Sequence, residues 1–78
     1  MTNEVVSYLA GWLLDHPEDL AVDEIEGERG ATVLELRVHP EDVGKLIGRH
    51  GRTIHAVRSI ARAAGQRRDQ TVLVEIAD

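Results

Sequence analysis

Hydrophobic periodicity changes along this chain in an order that few folds accommodate. Between residues 31 and 38, Leu34, Leu36 and Val38 alternate with Val33, Glu35 and Arg37, the two-residue period of a strand with one buried face. The alternation returns from Thr71 to Ile76, with Val72, Val74 and Ile76 on one side. The intervening residues carry a helical pattern instead. After Pro40, a residue suited to a first helical turn, Val43, Leu46 and Ile47 form a short apolar face. Ile54, Val57, Ile60, Ala61 and Ala64 then mark a longer stripe from Arg52 to Ala64, and Gly65 is read as its stop. Two strands joined by that much helix lie parallel if they are neighbours.

The N-terminal third supplies the other elements. Val5, Val6, Leu9, Trp12 and Leu13 follow the spacing of one helix face, read here as packing. Thr2 or Asn3 can cap that helix, and Asp15-His16-Pro17 ends it. Leu20–Glu26 is a weaker strand with an edge-like load of acids, turned back on Ala31–Val38 through Gly27-Glu28-Arg29-Gly30. The predicted order is α-β-β-α-α-β, an α+β fold with a mixed three-stranded sheet, Ala31–Val38 central and the helices on one face. Residues 1–78 are enough for a single domain, with no linker or internal repeat expected. No apolar run approaches the ~18–20 residues of a membrane span, and no cysteine is present. A soluble, cytoplasmic protein is expected.

Formal net charge is −5, which by itself argues against a polyanionic partner. The distribution reverses that argument. Residues 1–28 hold eight acids and no Lys or Arg, whereas residues 44–68 hold seven bases and no acid. Such sorting produces one positive surface on a negative body, or else a merely solvated face.

At the centre of the basic stretch stands Gly48-Arg49-His50-Gly51, between the two helical patterns. Glycines at both ends of a four-residue turn allow tight dihedrals and close approach of another backbone. The helix beginning near Arg52 points free N–H groups and a partial positive charge at whatever docks there. Arg49, Arg52 and Lys45 surround the turn with charge, and His50 adds an imidazole that gains charge in mildly acidic solution. A sugar-phosphate backbone fits this chemistry.

The run Ile47-Gly48-Arg49-His50-Gly51-Arg52-Thr53-Ile54 resembles the I-G-x-x-G-x-x-I core of KH domains, whose GxxG loop clamps about four nucleotides of single strand. The element order resembles the type II, prokaryotic form, and the size resembles the stand-alone bacterial KhpA family. The resemblance implies that Gly48, Arg49, His50 and Gly51 form a clamp on single-stranded RNA. It also implies a groove lined by Gly44, Lys45 and Ile47 on one helix and by Arg52 and Ile54 on the next. Helical spacing extends the second side to Arg58. The family further implies a homodimer, or a heterodimer with a second KH-containing protein, and an RNA-chaperone or post-transcriptional regulator role.

Plainer readings compete with these. Short helix-helix turns often contain glycine, and Ile47 and Ile54 read as core before they read as ligand contacts. Arg62, Arg67 and Arg68 read as solvated. Tyr8 and Trp12, the only aromatics besides histidine, sit in the first helix, leaving the groove without a base-stacking platform and predicting weak, sequence-tolerant binding. His50 and His55 miss helical metal-pair spacing, while His16 and His39 stand beside prolines at separate boundaries. With no cysteine and no third clustered ligand, neither a metal nor another cofactor is expected. Ser7 and Ser59 lack a nucleophile-elbow context, and the glycine spacing matches neither a Walker A loop nor a dinucleotide fingerprint. An enzyme is not expected. The alternatives to RNA binding are a helix-turn-helix reading duplex DNA and a protein assembly module.

Overall fold

The computed structural model describes residues 2–77 of the chain. Helix α1 spans Thr2–Leu13, β1 Ala21–Glu26, β2 Thr32–Arg37, α2 Val43–Ile47, α3 Arg52–Gln66 and β3 Val72–Ile76. Strand order is β1-β2-β3. The β1–β2 hairpin is antiparallel, with Val22 opposite Leu36 and Glu24 opposite Leu34. β2 and β3 run parallel, with Leu34 beside Val74 and Leu36 beside Ile76. The mixed sheet, the central strand and the crossover follow the order of periods in the sequence.

One side of the sheet carries the core. Leu34 and Leu36 of β2 and Val72 and Val74 of β3 pack with Leu46 of α2 and Ile54, Val57 and Ala61 of α3. Between β1 and β2 the chain reverses through Arg29 and Gly30, both at positive φ, closed by the Gly27 N–H donating to Ala31 O at 2.8 Å. A non-glycine residue at positive φ is uncommon, so Arg29 marks where closure of the hairpin overrides local preference.

Several expectations change. Of the expected face of α1, Val5, Val6, Leu9, Trp12 and Leu13, only Val6 is buried and Leu9 partly so. Val6, Ala10 and Leu14 are buried, while Trp12 is 76% exposed and Val5, Tyr8 and Leu13 also face solvent. α1 is apolar on two sides, and the side with a small residue at its centre, Ala10, is the one that approaches the body most closely. Asn3 is already helical, and the cap position of α1 falls outside the described residues. On α3, Ile60 is exposed and Gly65 is buried.

Gly65 does not stop α3, which continues to Gln66. A Cβ there would lie 2.5 Å from Val72 Cγ2 and 2.8 Å from Gln70 O, so glycine is required by close approach rather than by dihedral. The reversal itself uses Asp69 at φ 55°, with the Gln70 N–H returning to Gly65 O at 2.8 Å.

Candidate nucleic-acid interface

Helix α2 ends because Gly48 takes φ 78° and ψ 172° while its N–H donates to Gly44 O at 2.9 Å. His50 and Gly51 follow in the left-handed region at φ 57° and 71°, and the Gly51 N–H reaches Gly48 O at 3.2 Å. The two glycines serve different purposes. A Cβ on Gly48 would come 2.2 Å from Thr53 Oγ1, so the first turn of α3 presses directly on it. A Cβ on Gly51 would meet open space, and only its dihedral calls for glycine. His50 holds a backbone conformation in which non-glycine residues are rare, a feature concentrated at functional sites.

Gly51 is the N-cap of α3 and supplies no side-chain hydrogen bond. The Arg52 N–H returns to Arg49 O, and the amides that follow in this 15-residue helix face the turn without a side-chain acceptor. Arg49, His50 and Arg52 are exposed beside them and, among the described residues, form no ion pair. Uncapped amides, the positive end of the helix dipole and two free guanidinium groups converge on one corner, an arrangement that favours an anionic backbone over a neutral ligand.

The remaining candidate residues are distributed around that corner. Ile47 is half exposed at the end of α2, and Ile54 is in the core. Arg58 points along α3 toward the edge strand, its Nε donating to Val74 O at 3.1 Å. With Arg62 and residues 72–75 it lines an open cleft of about 230 Å³ between α3 and β3. Gly44 is exposed with free space above it. Lys45 turns the other way: its ammonium pairs with the Asp15 carboxylate. That hydrogen bond raises the Lys45 pKa against the opposing effect of desolvation, with the charges of Asp15 and Asp42 assisting.

A second cleft escaped sequence reasoning. Leu9, Trp12 and Leu13 of α1 face Ala56 and Ile60 of α3 across about 460 Å³ of open apolar space, and Arg52 and Thr53 close its end. Tyr8 packs edge-on against Trp12, ring centres 6.1 Å apart. The signal available in the sequence was that α1 has more apolar positions than one face can bury.

A sequence model of the KhpA/KhpB KH domain matches residues 3–76. RNA-binding protein KhpA of Clostridium perfringens is 45% identical over 73 residues, covering 94% of this chain and 96% of the relative. The protein of that name from Streptomyces coelicolor is 42% identical over 76 residues, 97% of this chain and 95% of the relative. That from Treponema pallidum is 40% identical over 78 residues, all of this chain and 96% of the relative. Matched along nearly its whole length by the domain and by these relatives, and built on the α-β-β-α-α-β frame with glycines bracketing the α2–α3 turn, the chain belongs to the KhpA/KhpB family of KH-domain proteins, a non-enzymatic family.

Proposed function

We propose that this protein is a non-catalytic, single-stranded RNA-binding protein that clamps the sugar-phosphate backbone at Gly48-Arg49-His50-Gly51. The observation that carries this reading is the uncapped start of α3, held open behind a turn whose Arg49 and His50 face solvent. The relatives named RNA-binding protein KhpA support the class of ligand. Arg52 and Arg58 continue the path along α3, with Ile47 as its apolar floor, Ile54 supporting it from the core, and Gly44 leaving room for the strand. Lys45 joins only by exchanging Asp15 for phosphate. The role is of the RNA-chaperone or post-transcriptional regulator type, exercised as a single KH domain in the cytoplasm. Among the described residues no helix is long and apolar enough to cross a membrane.

Titration of a fluorescent single-stranded RNA pool with wild type and with Arg49→Asp/His50→Asp tests the clamp. Asp tolerates the left-handed backbone that His50 already occupies, so the pair reverses charge without forcing the turn. Wild-type binding that collapses in the variant, with unchanged circular dichroism, is expected. Equal binding by both proteins refutes the clamp.

The α1–α3 cleft supports pairing, and its proposed occupant is a second copy of this chain. Exposed Trp12, Leu13 and Ile60 form an apolar patch whose α1 side lies in the acid-only third of the sequence and whose α3 side lies in the base-only stretch. A two-fold axis brings the same apolar patch of each copy together. Two clamps in one dimer act together through effective concentration. Light scattering is expected to show a dimer that Trp12→Asp converts to a monomer with its fold intact. A wild type that stays monomeric throughout the micromolar range overturns the homodimer and leaves a second KH-containing protein as the partner to test.

A further inference from the structure

The tetrapeptide His-Pro-Glu-Asp occurs twice, at residues 16–19 and 39–42. This is a short internal repeat, against the expectation of none. Each copy opens a 3-10 turn with proline at its start, and folding lays the two turns side by side. The fastener is Asp42, a fully buried charged side chain. Its carboxylate accepts the N–H of Asp15 at 3.1 Å and of His16 at 2.8 Å, while its own N–H donates to His39 O at 2.8 Å. Residues 26 and 27 apart in sequence are thereby locked together, and the rings of His16 and His39 stack with centres 4.1 Å apart.

Glu41 completes the cluster. Its Oε1 lies 3.4 Å from His16 Nε2 and 3.7 Å from His39 Nδ1. One ligand atom from each of His16, His39 and Glu41 falls within 4.8 Å of the other two. Donors around a tetrahedral Zn²⁺, each bound at about 2.0–2.2 Å, stand about 3.3 Å apart, so the two separations of Glu41 from the imidazoles, 3.4 and 3.7 Å, are near ligand spacing. The sequence reading held that no third clustered ligand existed; the structure supplies one.

We propose that these turns form a binding site for a borderline divalent transition-metal ion of the Zn²⁺ or Ni²⁺ class, held by His16 Nε2, His39 Nδ1 and a Glu41 carboxylate oxygen, with water completing the shell. His39 Nδ1 accepts the Glu41 N–H at 3.1 Å, so its one lone pair is engaged, and ligation there requires the metal to displace that amide. On His16, ligation through Nε2 leaves Nδ1 3.8 Å from Glu18 Oε1, a carboxylate that must move closer to hydrogen-bond a metal-bound imidazole. In-plane approach to both nitrogens requires one ring to rotate out of the stack, while the backbone stays fixed by Asp42. Two imidazole donors favour Zn²⁺, Ni²⁺ or Cu²⁺, whereas Mg²⁺ and Ca²⁺ require oxygen-rich shells. The site lies at the start of α2, with the GRHG turn at its other end, and its loading is independent of the proposed RNA clamp.

The test is calorimetric titration of the untagged, full-length protein with Zn²⁺ and, separately, Mg²⁺, alongside His16→Gln/His39→Gln. Saturable one-to-one Zn²⁺ binding, no Mg²⁺ binding and a loss of at least about tenfold in the variant are expected, the scale on which ligand-shell changes act. Imidazole NMR of the wild type provides a readout that does not depend on the variant folding: Zn²⁺ shifts the His16 and His39 resonances and leaves those of His50 and His55 in place. No saturable binding, equal affinity in a folded variant, or shifts confined to His50 and His55 overturn the proposal.

Discussion

Gly65→Ala and Gly11→Ala are the same chemical change in the last turns of two helices, and the structure gives them opposite signs. Replacing a helical glycine with alanine contributes up to about 0.8–1.0 kcal/mol through helix propensity. At Gly11 a new Cβ meets nothing within 4 Å, so nothing opposes the gain. At Gly65 the same Cβ lies 2.5 Å from the Val72 methyl and 2.8 Å from the Gln70 carbonyl. Val72 is buried at the head of β3, and Gln70 is tied back to Gly65 through its own N–H. Neither neighbour is a flexible chain end. Relief requires moving the α3–β3 connection, which places the clash near the upper end of the ~1–3 kcal/mol for overpacking.

Subtracting the propensity gain leaves Gly65→Ala destabilised by about 2 kcal/mol. For a domain of this size each kcal/mol moves the melting temperature by roughly 4–8 °C. Thermal melts followed by circular dichroism should therefore fall by about 8–16 °C for Gly65→Ala and rise by up to about 4–8 °C for Gly11→Ala. Urea midpoints should move in the same directions with unchanged slope. A Gly65→Ala protein that melts at or above wild type refutes the close-approach argument, and a Gly11→Ala protein that melts below wild type refutes the open-space one.

Two further outcomes follow from charged groups. Burial alone would raise the Asp42 carboxyl, but the N–H groups of His16 and Asp15, with the charges of His16 and Lys45, hold it below the usual carboxylate value. A depressed folded pKa gives stability that is complete above the unfolded carboxylate pKa and is lost as pH falls through the folded one. Asp42→Ala should consequently lower the melting temperature at neutral pH, with the gap to wild type narrowing in strongly acidic solution; a gap that widens there contradicts the assignment. For RNA, each phosphate neutralised on a single strand contributes about −0.7 to the slope of log affinity against log salt. With Arg49 and Arg52 free and Arg58 able to join, two or three contacts give a slope of about −1.4 to −2.1. Binding that is flat with salt excludes a phosphate clamp, and a much steeper slope means that Lys45 and the distal arginines also engage.

What the sequence disclosed and what it hid divide along physical lines. The sheet was legible because a two-residue period fixes which side of β2 is buried, and Leu34 and Leu36 leave no second choice of face. The GRHG turn was legible as a turn, but not the separate reasons for its glycines, because Thr53 pressing on Gly48 is a contact rather than a propensity. Gly65 was misread for the same reason: local rules treat a late helical glycine as a stop, whereas this one makes room for Val72. On α1 two apolar stripes compete, and only packing selects Ala10 over Trp12. Lys45 was counted as a free charge because Asp15, which pairs with it, lies 30 positions away. The His16–His39 stack was hidden likewise, since stacking depends on the Asp42 clasp and leaves no periodic trace.

The pairing of charges explains how a chain of net charge −5 can still present a focused positive site. Asp15 takes Lys45, and Asp23 takes Arg37 across the hairpin. Both bases are thereby engaged by carboxylates rather than free for a polyanion. Arg49 and Arg52 are left beside amides that no side chain caps. Acids elsewhere on the body repel a polyanion that approaches any other face, so the negative excess sharpens rather than opposes binding at the turn. Removing the acids would then raise overall attraction to RNA while loosening its placement, whereas reversing Arg49 and His50 removes the one place where attraction and backbone geometry coincide.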